Sequence, residues 1–79
     1  MRARVYVTLK PSVFDPQGRV VADALLSLGY QDVTDVRQGK FFEVELDASD
    51  PAAAKARVTE MADKLLANPV IESYRVEVL

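Results

Sequence analysis

Three acidic residues form the clearest group of chemically active side chains in this sequence. Glu43, Glu45 and Asp47 alternate with apolar residues, so in a strand their carboxylates would project from one face. Carboxylate oxygens are the ligands that hard cations such as Ca²⁺ prefer. An acidic strand face that is simply exposed to solvent is far more common, and it is the interpretation adopted here.

Cysteine and histidine are both absent from the 79 residues. Without them the chain can form no thiolate nucleophile, no Cys–His pair, no Ser–His–Asp triad and no zinc site of the usual ligand types. The three glycines, Gly18, Gly29 and Gly39, cannot make a glycine-rich phosphate loop. The sequence therefore predicts a module without a complete catalytic set and without a metal or cofactor site of its own.

Charge and hydropathy restrict the possible partners. Tyr6 and Phe41 could stack a nucleobase, but 10 basic and 12 acidic residues are interspersed, giving a net charge of −2 and no basic stripe. No apolar run is long enough to cross a bilayer. Met1 to Arg4 lead directly into a strand pattern and do not resemble a signal peptide. We expect a soluble cytoplasmic protein that binds neither nucleic acid nor membrane.

The segment from Lys10 to Gly18 joins a predicted strand to a predicted helix. It holds two prolines, a glycine, an aspartate and a lysine within nine residues. Such loops carry function more often than the elements they connect. From the residues alone, a stiff connection is the favoured interpretation.

The first half of the chain predicts one strand and one helix. Arg2 to Leu9 alternate with a period of two, which is typical of a strand with one buried face. Asp15 and Pro16 form a helix-opening pair, and Gly29 fits a left-handed cap at the end of the helix. Apolar residues at helical spacing predict a buried stripe. These are Val20, Val21, Ala24, Leu25 and Leu28.

A hairpin is predicted next. Val33 to Gln38 indicate a weak strand with a bulge or a late start, Gln38 to Lys40 a turn, and Phe41 to Asp47 a clearer strand. Asp50 and Pro51 then repeat the helix-opening pair, and the helix should extend to about Ala67. Its predicted core residues are Ala54, Val58, Met61, Ala62 and Leu65.

The chain should close with a strand from about Ile71 to Val78, after a helix end in which Asn68 takes the left-handed conformation before Pro69. The resulting order predicts an α+β fold, a ferredoxin-like βαββαβ sandwich with an antiparallel sheet and both helices on one face. Residues 1–79 are expected to form one domain. The uncovered sheet face, with Tyr6 and Phe41, and the edge strands could be solvated or could meet partners.

Several motifs in this chain resemble those of the PurS family, the small subunits of phosphoribosylformylglycinamidine synthase. They cover essentially the whole chain, and their combination is more specific than any one of them. The motifs are Val-Thr-Leu-Lys at 7–10, Asp-Pro-Gln-Gly at 15–18, Leu-Gly at 28–29, Val-Arg-Gln-Gly-Lys at 36–40 and Leu-Leu-Ala-Asn-Pro-Val-Ile-Glu-Ser-Tyr at 65–74.

The resemblance implies an accessory subunit that is not catalytic alone. It implies two partners, a glutaminase subunit that releases ammonia and a large synthetase subunit that uses ATP and Mg to convert formylglycinamide ribonucleotide to formylglycinamidine ribonucleotide. It also implies self-association as a dimer or a tetramer. Both chemistries would lie on other polypeptides, in agreement with the absence of cysteine and of glycine-rich loops from this one.

Carried over to this sequence, the family motifs divide into two groups. One group has local structural roles, in helix caps and turns: Asp15, Pro16, Gly18, Gly39, Asn68 and Pro69. The other has no evident local role and supplies candidates for partner contacts: Lys10, Gln17, Arg37 and Lys40. Two alternatives remain at this point, a small metabolite-binding regulatory module and a stand-alone enzyme that uses its carboxylates.

Overall fold

The computed structural model describes residues 1–79 as three strands and two helices. Strand β1 is Arg2–Leu9, helix α1 is Pro16–Ser27, strand β2 is Gly39–Glu45, helix α2 is Pro51–Met61 and strand β3 is Glu72–Val78. A π-helical segment, Ala62–Leu66, continues directly from α2. The predicted bounds of β1 are confirmed, and those of α2 and β3 are confirmed to within a few residues.

Strand β1 is the centre of the sheet. It pairs antiparallel with β2 on one side and with β3 on the other, so that Val5 lies opposite both Phe42 and Val76. The alternating pattern of β1 turns Ala3, Val5 and Val7 into the core, where they are fully buried. This confirms the α+β class and the antiparallel sheet.

Helix α2 provides the other half of the core. Ala54, Val58 and Ala62 are fully buried, and α2 packs over β1 and β3. The small alanines let the helix approach the sheet closely, while Val58 fills the space between the two layers. The core is therefore built from short side chains. Phe42, Val44, Leu46, Leu66, Tyr74, Val76 and Val78 pack at its margins.

Both Asp-Pro pairs begin helices as predicted. The Asp15 side chain accepts a hydrogen bond from the Gly18 amide, and the Asp50 side chain accepts one from the Ala52 amide. Each aspartate thus satisfies an amide that has no partner within its helix. The end of α1 also agrees with prediction, since Gly29 adopts φ +103°, which is accessible to glycine at low cost.

The predicted strand from Val33 to Gln38 does not form, and neither does the hairpin. Residues 33–38 have no ladder partner, and β2 begins at Gly39, which pairs with Thr8. The three-residue spacing of Val33 and Val36 does not fit the period of two in a strand. The polar groups of Arg37 and Gln38 bind the loop before α1 instead. Gly39 therefore lies in a strand and not in a turn. It has another reason to be glycine, because a Cβ there would collide with the Val7 carbonyl oxygen.

The π-helical segment changes which leucine faces the core. A regular helix would place Leu65 one turn after Met61 on the buried side. The Ala67 amide instead donates to the Ala62 carbonyl, five residues back, which inserts an extra residue into the turn. The prediction for Leu65 is wrong, since it is 82% exposed, and Leu66 packs against the core instead.

The end of this segment also differs from prediction. Asn68 does not adopt the left-handed conformation. Gly29 is the one residue with a positive φ. Its side chain accepts a hydrogen bond from the Val70 amide at 3.0 Å, and its carbonyl accepts from the Ile71 and Glu72 amides. Asn68 therefore makes the turn into β3 through hydrogen bonds and not through an unusual backbone angle.

Helix α1 does not pack on the sheet, contrary to the prediction that both helices cover one face. It makes no extensive contact with any strand or with α2. The chain is consequently elongated, with extents of 48 × 25 × 14 Å and a radius of gyration of 15.7 Å. No helix has the length and apolar character needed to span a membrane.

Candidate partner-docking surface

Three connecting segments meet at one end of the sheet. They are the loop of residues 10–18, the segment of residues 36–40, and the turn of residues 68–71. The Lys10 amide donates to the Ile71 carbonyl at 2.9 Å, and the Arg37 guanidinium donates to the Lys10 carbonyl at 2.9 Å. All four residues predicted as partner contacts, Lys10, Gln17, Arg37 and Lys40, therefore lie at this end, which we call the loop end.

Arg37 has a local role that the sequence did not indicate. One of its guanidinium nitrogens donates to the carbonyls of Leu9 at 3.4 Å, Lys10 at 2.9 Å and Val13 at 2.9 Å. These carbonyls lie at the last residue of β1 and in the loop that follows it, where the strand ladder ends and backbone acceptors need other partners. Arg37 therefore shapes the loop that carries Lys10. The expectation that it has no local role is wrong, while a contact to a partner stays a prediction.

Asp15 connects α1 to the start of β2. Only 5% of its surface is exposed. One carboxylate oxygen accepts from the Gly18 amide at 2.9 Å and the other accepts from the Gln38 amide at 2.7 Å. These backbone bonds, chiefly the one from Gln38, stabilise the charged form and hold the pKa of the carboxyl below its usual value.

Gly18 allows this junction to close. A Cβ at this position would collide with the Val36 carbonyl oxygen and crowd the Asp15 carboxylate. The first turn of α1 can therefore lie against the segment before β2 only when position 18 carries no side chain.

Gln17 and Lys40 also bind within the chain. The side-chain Oε1 of Gln17 accepts from the side-chain amide of Gln38 at 2.8 Å. The Lys40 ammonium lies 3.5 Å from a carboxylate oxygen of Glu72 and 6.0 Å from the centre of the Phe42 ring. Both side chains remain largely exposed, so a partner can still reach them.

Lys10 differs from the other three candidates because its ammonium forms no ion pair or hydrogen bond within the chain. The loop end also has an open polar cleft of about 420 Å³, which Lys10 does not line. Six of the residues around it carry polar side chains: Thr8, Asp15, Gln17, Gln38, Lys40 and Glu72. The loop end is thus a polar, uneven surface with one unpaired cation.

The outer face of the sheet carries ion pairs. The Arg4 guanidinium lies 3.5 Å from Glu43 and 3.8 Å from Glu77, and Arg2 lies 3.2 Å from Glu45. The acidic face considered for a cation is therefore occupied by arginines. No group of three metal-ligating side chains occurs in the chain.

Aromatic rings on the same face stack within the chain. Tyr6 and Phe41 lie 5.3 Å apart, and the Arg75 guanidinium covers the Tyr6 ring at 4.3 Å. The predicted composition of this face, aromatic and charged side chains together, is confirmed. Its rings and charges are largely paired with each other.

Two apolar groups remain exposed. The first is on α1, where Val20, Val21 and Leu28 are exposed, with Val20 at 67%. The predicted apolar stripe exists but, apart from the half-buried Leu25, it faces solvent and not the core of its own chain. The second lies at the end of the π-helical segment and in the turn that follows, and comprises Leu65, Val70 and Ile71.

The chain matches known proteins over almost its whole length. The family model described as PurS, phosphoribosylformylglycinamidine (FGAM) synthase, matches residues 2–79. The chain belongs to the PurS family. It is 52% identical over 77 residues to the PurS subunit of Bacillus subtilis, covering 98% of this chain and 90% of that one. It is 51% identical over 75 residues to the PurS subunit of Synechocystis, covering 95% and 75%.

Solved PurS structures share the fold. The B. subtilis PurS structure in its C2 crystal form has a TM-score of 0.82 at 51% identity, covering 96% of this chain and 94% of that one. The purS subunit of Thermotoga maritima has a TM-score of 0.90 at 29% identity, covering 99% and 90%. A chain of the PurLQS structure from the same organism has a TM-score of 0.89, covering 99% and 95%. The family assignment made from the motifs is confirmed.

Proposed function

We propose that this chain is the non-catalytic assembly subunit of an FGAM synthase, joining a glutaminase subunit to an ATP-dependent synthetase subunit. The likeness to a chain of the T. maritima PurLQS structure is the observation that carries the proposal. The absence of cysteine and histidine supports it, since a glutaminase of the triad type needs a thiolate. Residues 1–79 would act as one domain in this complex.

In the proposed complex the chemistry lies on the partners. Glutamine-derived ammonia converts formylglycinamide ribonucleotide to formylglycinamidine ribonucleotide at the expense of ATP with Mg, and this chain holds no cofactor. Its contribution is to the geometry of assembly. An assembly subunit needs separate surfaces for separate partners, and this fold offers a polar loop end and two exposed apolar groups.

Within this scheme we assign the loop end to contact with a partner subunit. Lys10, Gln17 and Lys40 present a cation, an amide and a second cation at its surface, and Arg37 and Asp15 hold the backbone beneath them. Lys10 is the strongest candidate because no internal acceptor satisfies its ammonium. A partner carboxylate would gain a charge-assisted hydrogen bond there. The α1 stripe would serve self-association.

Size-exclusion chromatography of the three purified subunits with glutamine and Mg-ADP tests the assembly role. The wild-type chain should elute with both partners, and Lys10→Glu should elute apart from them with an unchanged circular dichroism spectrum. Lys55→Glu, an exposed change on α2, is the matched control and should co-elute. Persistent elution of the wild-type chain apart from both partners would refute the proposal.

An activity assay tests the non-catalytic part separately. The isolated chain should release no ammonia from glutamine, and addition of the partner subunits should restore glutamine-dependent turnover. Ammonia release by the isolated chain, abolished by substitution of its own carboxylates, would show that it is an enzyme by itself.

A further inference from the structure

We propose that Phe14 is an aromatic anchor of the partner contact, and that its ring inserts into an apolar pocket of a partner subunit with a carboxylate at the rim of that pocket. This deepens the proposed function, because it rests on the assignment of the loop end to a partner subunit and states the chemistry of the site that receives it. Three observations carry it: the exposure of the Phe14 ring, the fixed backbone on both sides of Phe14, and the unpaired ammonium of Lys10 in the same loop.

Phe14 is the most exposed aromatic residue of the chain. It is 72% exposed, compared with 56% for Tyr30 and 51% for Phe41. The Phe41 ring stacks on Tyr6, whereas the Phe14 ring packs against no other aromatic ring and no cation of the chain. A phenylalanine ring offers about 150–250 Å² of apolar surface for burial, and the chain itself covers little of it.

The backbone on both sides of Phe14 is held by hydrogen bonds. On one side, the Val13 amide donates to the Lys10 carbonyl at 2.9 Å, and the Val13 carbonyl accepts from the Arg37 guanidinium at 2.9 Å. On the other side, the buried Asp15 carboxylate accepts hydrogen bonds from two backbone amides. The loop therefore presents the ring to solvent in a fixed place. A side chain that is held before binding loses less conformational entropy in the complex, and buried aromatic residues dominate the binding energy of many interfaces.

Lys10 indicates the charge that the receiving pocket should carry. The hydrogen bond from the Val13 amide closes a turn that brings Lys10 close to the residue before Phe14, so the ammonium and the ring belong to one short surface. The ammonium forms no ion pair or hydrogen bond within the chain. A carboxylate at the rim of the pocket would form a charge-assisted hydrogen bond with Lys10 while the ring fills the apolar interior.

A different polypeptide fits this chemistry better than a second copy, a membrane or a nucleic acid. Most carboxylates of this chain already bind groups of the chain itself, in ion pairs, in helix caps or in a hydrogen bond from Tyr74. A second copy therefore has few carboxylates to offer Lys10. Lipid surfaces and nucleic acids are bound by several cations together, and Lys10 is the one cation among residues 10–18.

Photo-cross-linking identifies the chain that receives the ring. The substitution Phe14→p-benzoylphenylalanine is made in the full chain, which is mixed with both partner subunits and irradiated, and the products are identified by mass spectrometry. The main product should join this chain to one partner subunit, and the same group placed at Tyr30 should give little of it. If the complex assembles but the product joins two copies of this chain, or no product forms, the anchor is overturned and the assembly role stands. A wild-type chain that does not assemble with the partners would overturn the proposed function itself.

Matched substitutions measure what the ring contributes. Phe14→Ser should raise the dissociation constant for the partner subunit by at least about 30-fold, with an unchanged circular dichroism spectrum because the ring is exposed. Tyr30→Ser, at the other unstacked exposed aromatic residue, should change the constant less than about 3-fold. Equal effects of the two substitutions would refute the proposal. A change in the self-association of the free chain on Phe14→Ser, measured by sedimentation, would assign the ring to a second copy and overturn it.

Salt separates the role of the ring from that of the ammonium. Lys10→Met keeps an apolar stem but removes the charge, so it should weaken binding about 5-fold at about 0.05 M salt and much less at about 1 M. The loss caused by Phe14→Ser should persist at both salt concentrations, because salt does not screen the burial of apolar surface. A Phe14→Ser effect that disappears at high salt would refute an apolar pocket.

Discussion

The carboxylate of Asp15 accepts a hydrogen bond from the backbone amide of Gln38 at 2.7 Å, across 23 residues of chain. The same side chain caps α1 through the Gly18 amide. Because α1 makes no extensive contact with the sheet, this shared carboxylate and the Arg37 bonds beside it hold the helix in its orientation. If the α1 stripe serves self-association as proposed, a helix held in this way loses less entropy on binding a second chain.

Asp15 should make the stability of the fold depend on pH. Its pKa is lowered in the folded state, so its contribution is complete above the unfolded-state pKa of about 4 and is lost as the pH falls through the folded-state value. Asp15→Asn keeps an acceptor for the Gly18 amide but loses the ionised acceptor for Gln38. We expect its melting temperature to be lower by about 5 °C at pH 7.

The difference between wild type and Asp15→Asn should shrink as the pH falls below about 4 in thermal denaturation followed by circular dichroism. Glu60→Gln is the matched control, because the Lys64 ammonium also lowers the pKa of Glu60 but at an exposed site on α2. At pH 7, Glu60→Gln should lower the melting temperature by less than Asp15→Asn does. A constant difference for Asp15→Asn at all pH values would contradict the assignment.

Gly18→Ala should destabilise the fold although it adds a better helix former. The gain in helix propensity is about 0.5–1 kcal/mol, whereas forcing a methyl group against the Val36 carbonyl should cost roughly 1–3 kcal/mol. The steric cost should exceed the gain in helix propensity, because the Val36 carbonyl belongs to the backbone and cannot rotate away. Urea denaturation measures the net effect, and increased stability would show that the junction is looser than described.

Leu65 and Leu66 form a matched pair that tests the π-helical segment. Leu66→Ala should cost about 2 kcal/mol because Leu66 packs against the core, and Leu65→Ala should change stability by less than about 0.5 kcal/mol because it is exposed. Urea denaturation of the two variants gives both values. The opposite order would mean that the helix continues in regular α form and that Leu65 is the buried residue.

Lys40 and Glu72 allow a charge-swap test of partner contact. Lys40→Glu should weaken co-elution with the partner subunits and leave the fold intact, since Lys40 is half-exposed and its ion pair with the largely buried Glu72 is long, at 3.5 Å. The double variant with Glu72→Lys restores the internal pair. If Lys40 binds a partner, the double variant should still assemble poorly. Recovery of assembly would show that Lys40 acts only within the chain, and unfolding of Lys40→Glu by circular dichroism would show a structural role.

The family assignment required no coordinates, because its motifs extend over the whole chain and keep their order. The loop end shows where that reasoning stops. Lys10, Gln17, Arg37 and Lys40 could be chosen from the motifs, and they do lie together. That Arg37 binds the carbonyl of Leu9 and two carbonyls of the 10–18 loop could not be foreseen, because those acceptors are 24 to 28 residues away in sequence.

Some elements of the fold depend only on residues that are close together in the sequence. The alternation of Arg2–Leu9, the Asp-Pro helix starts and the left-handed Gly29 depend on neighbouring residues, and each was predictable from the sequence. Only the tertiary structure decided the rest. Three features depend on competition among groups that are distant in sequence. They are whether residues 33–38 pair as a strand, whether Leu65 or Leu66 faces the core, and whether the α1 stripe meets its own sheet. In the structure the Gln38 amide and the Arg37 guanidinium bind the loop and cap at the start of α1, and α1 makes no extensive contact with the sheet.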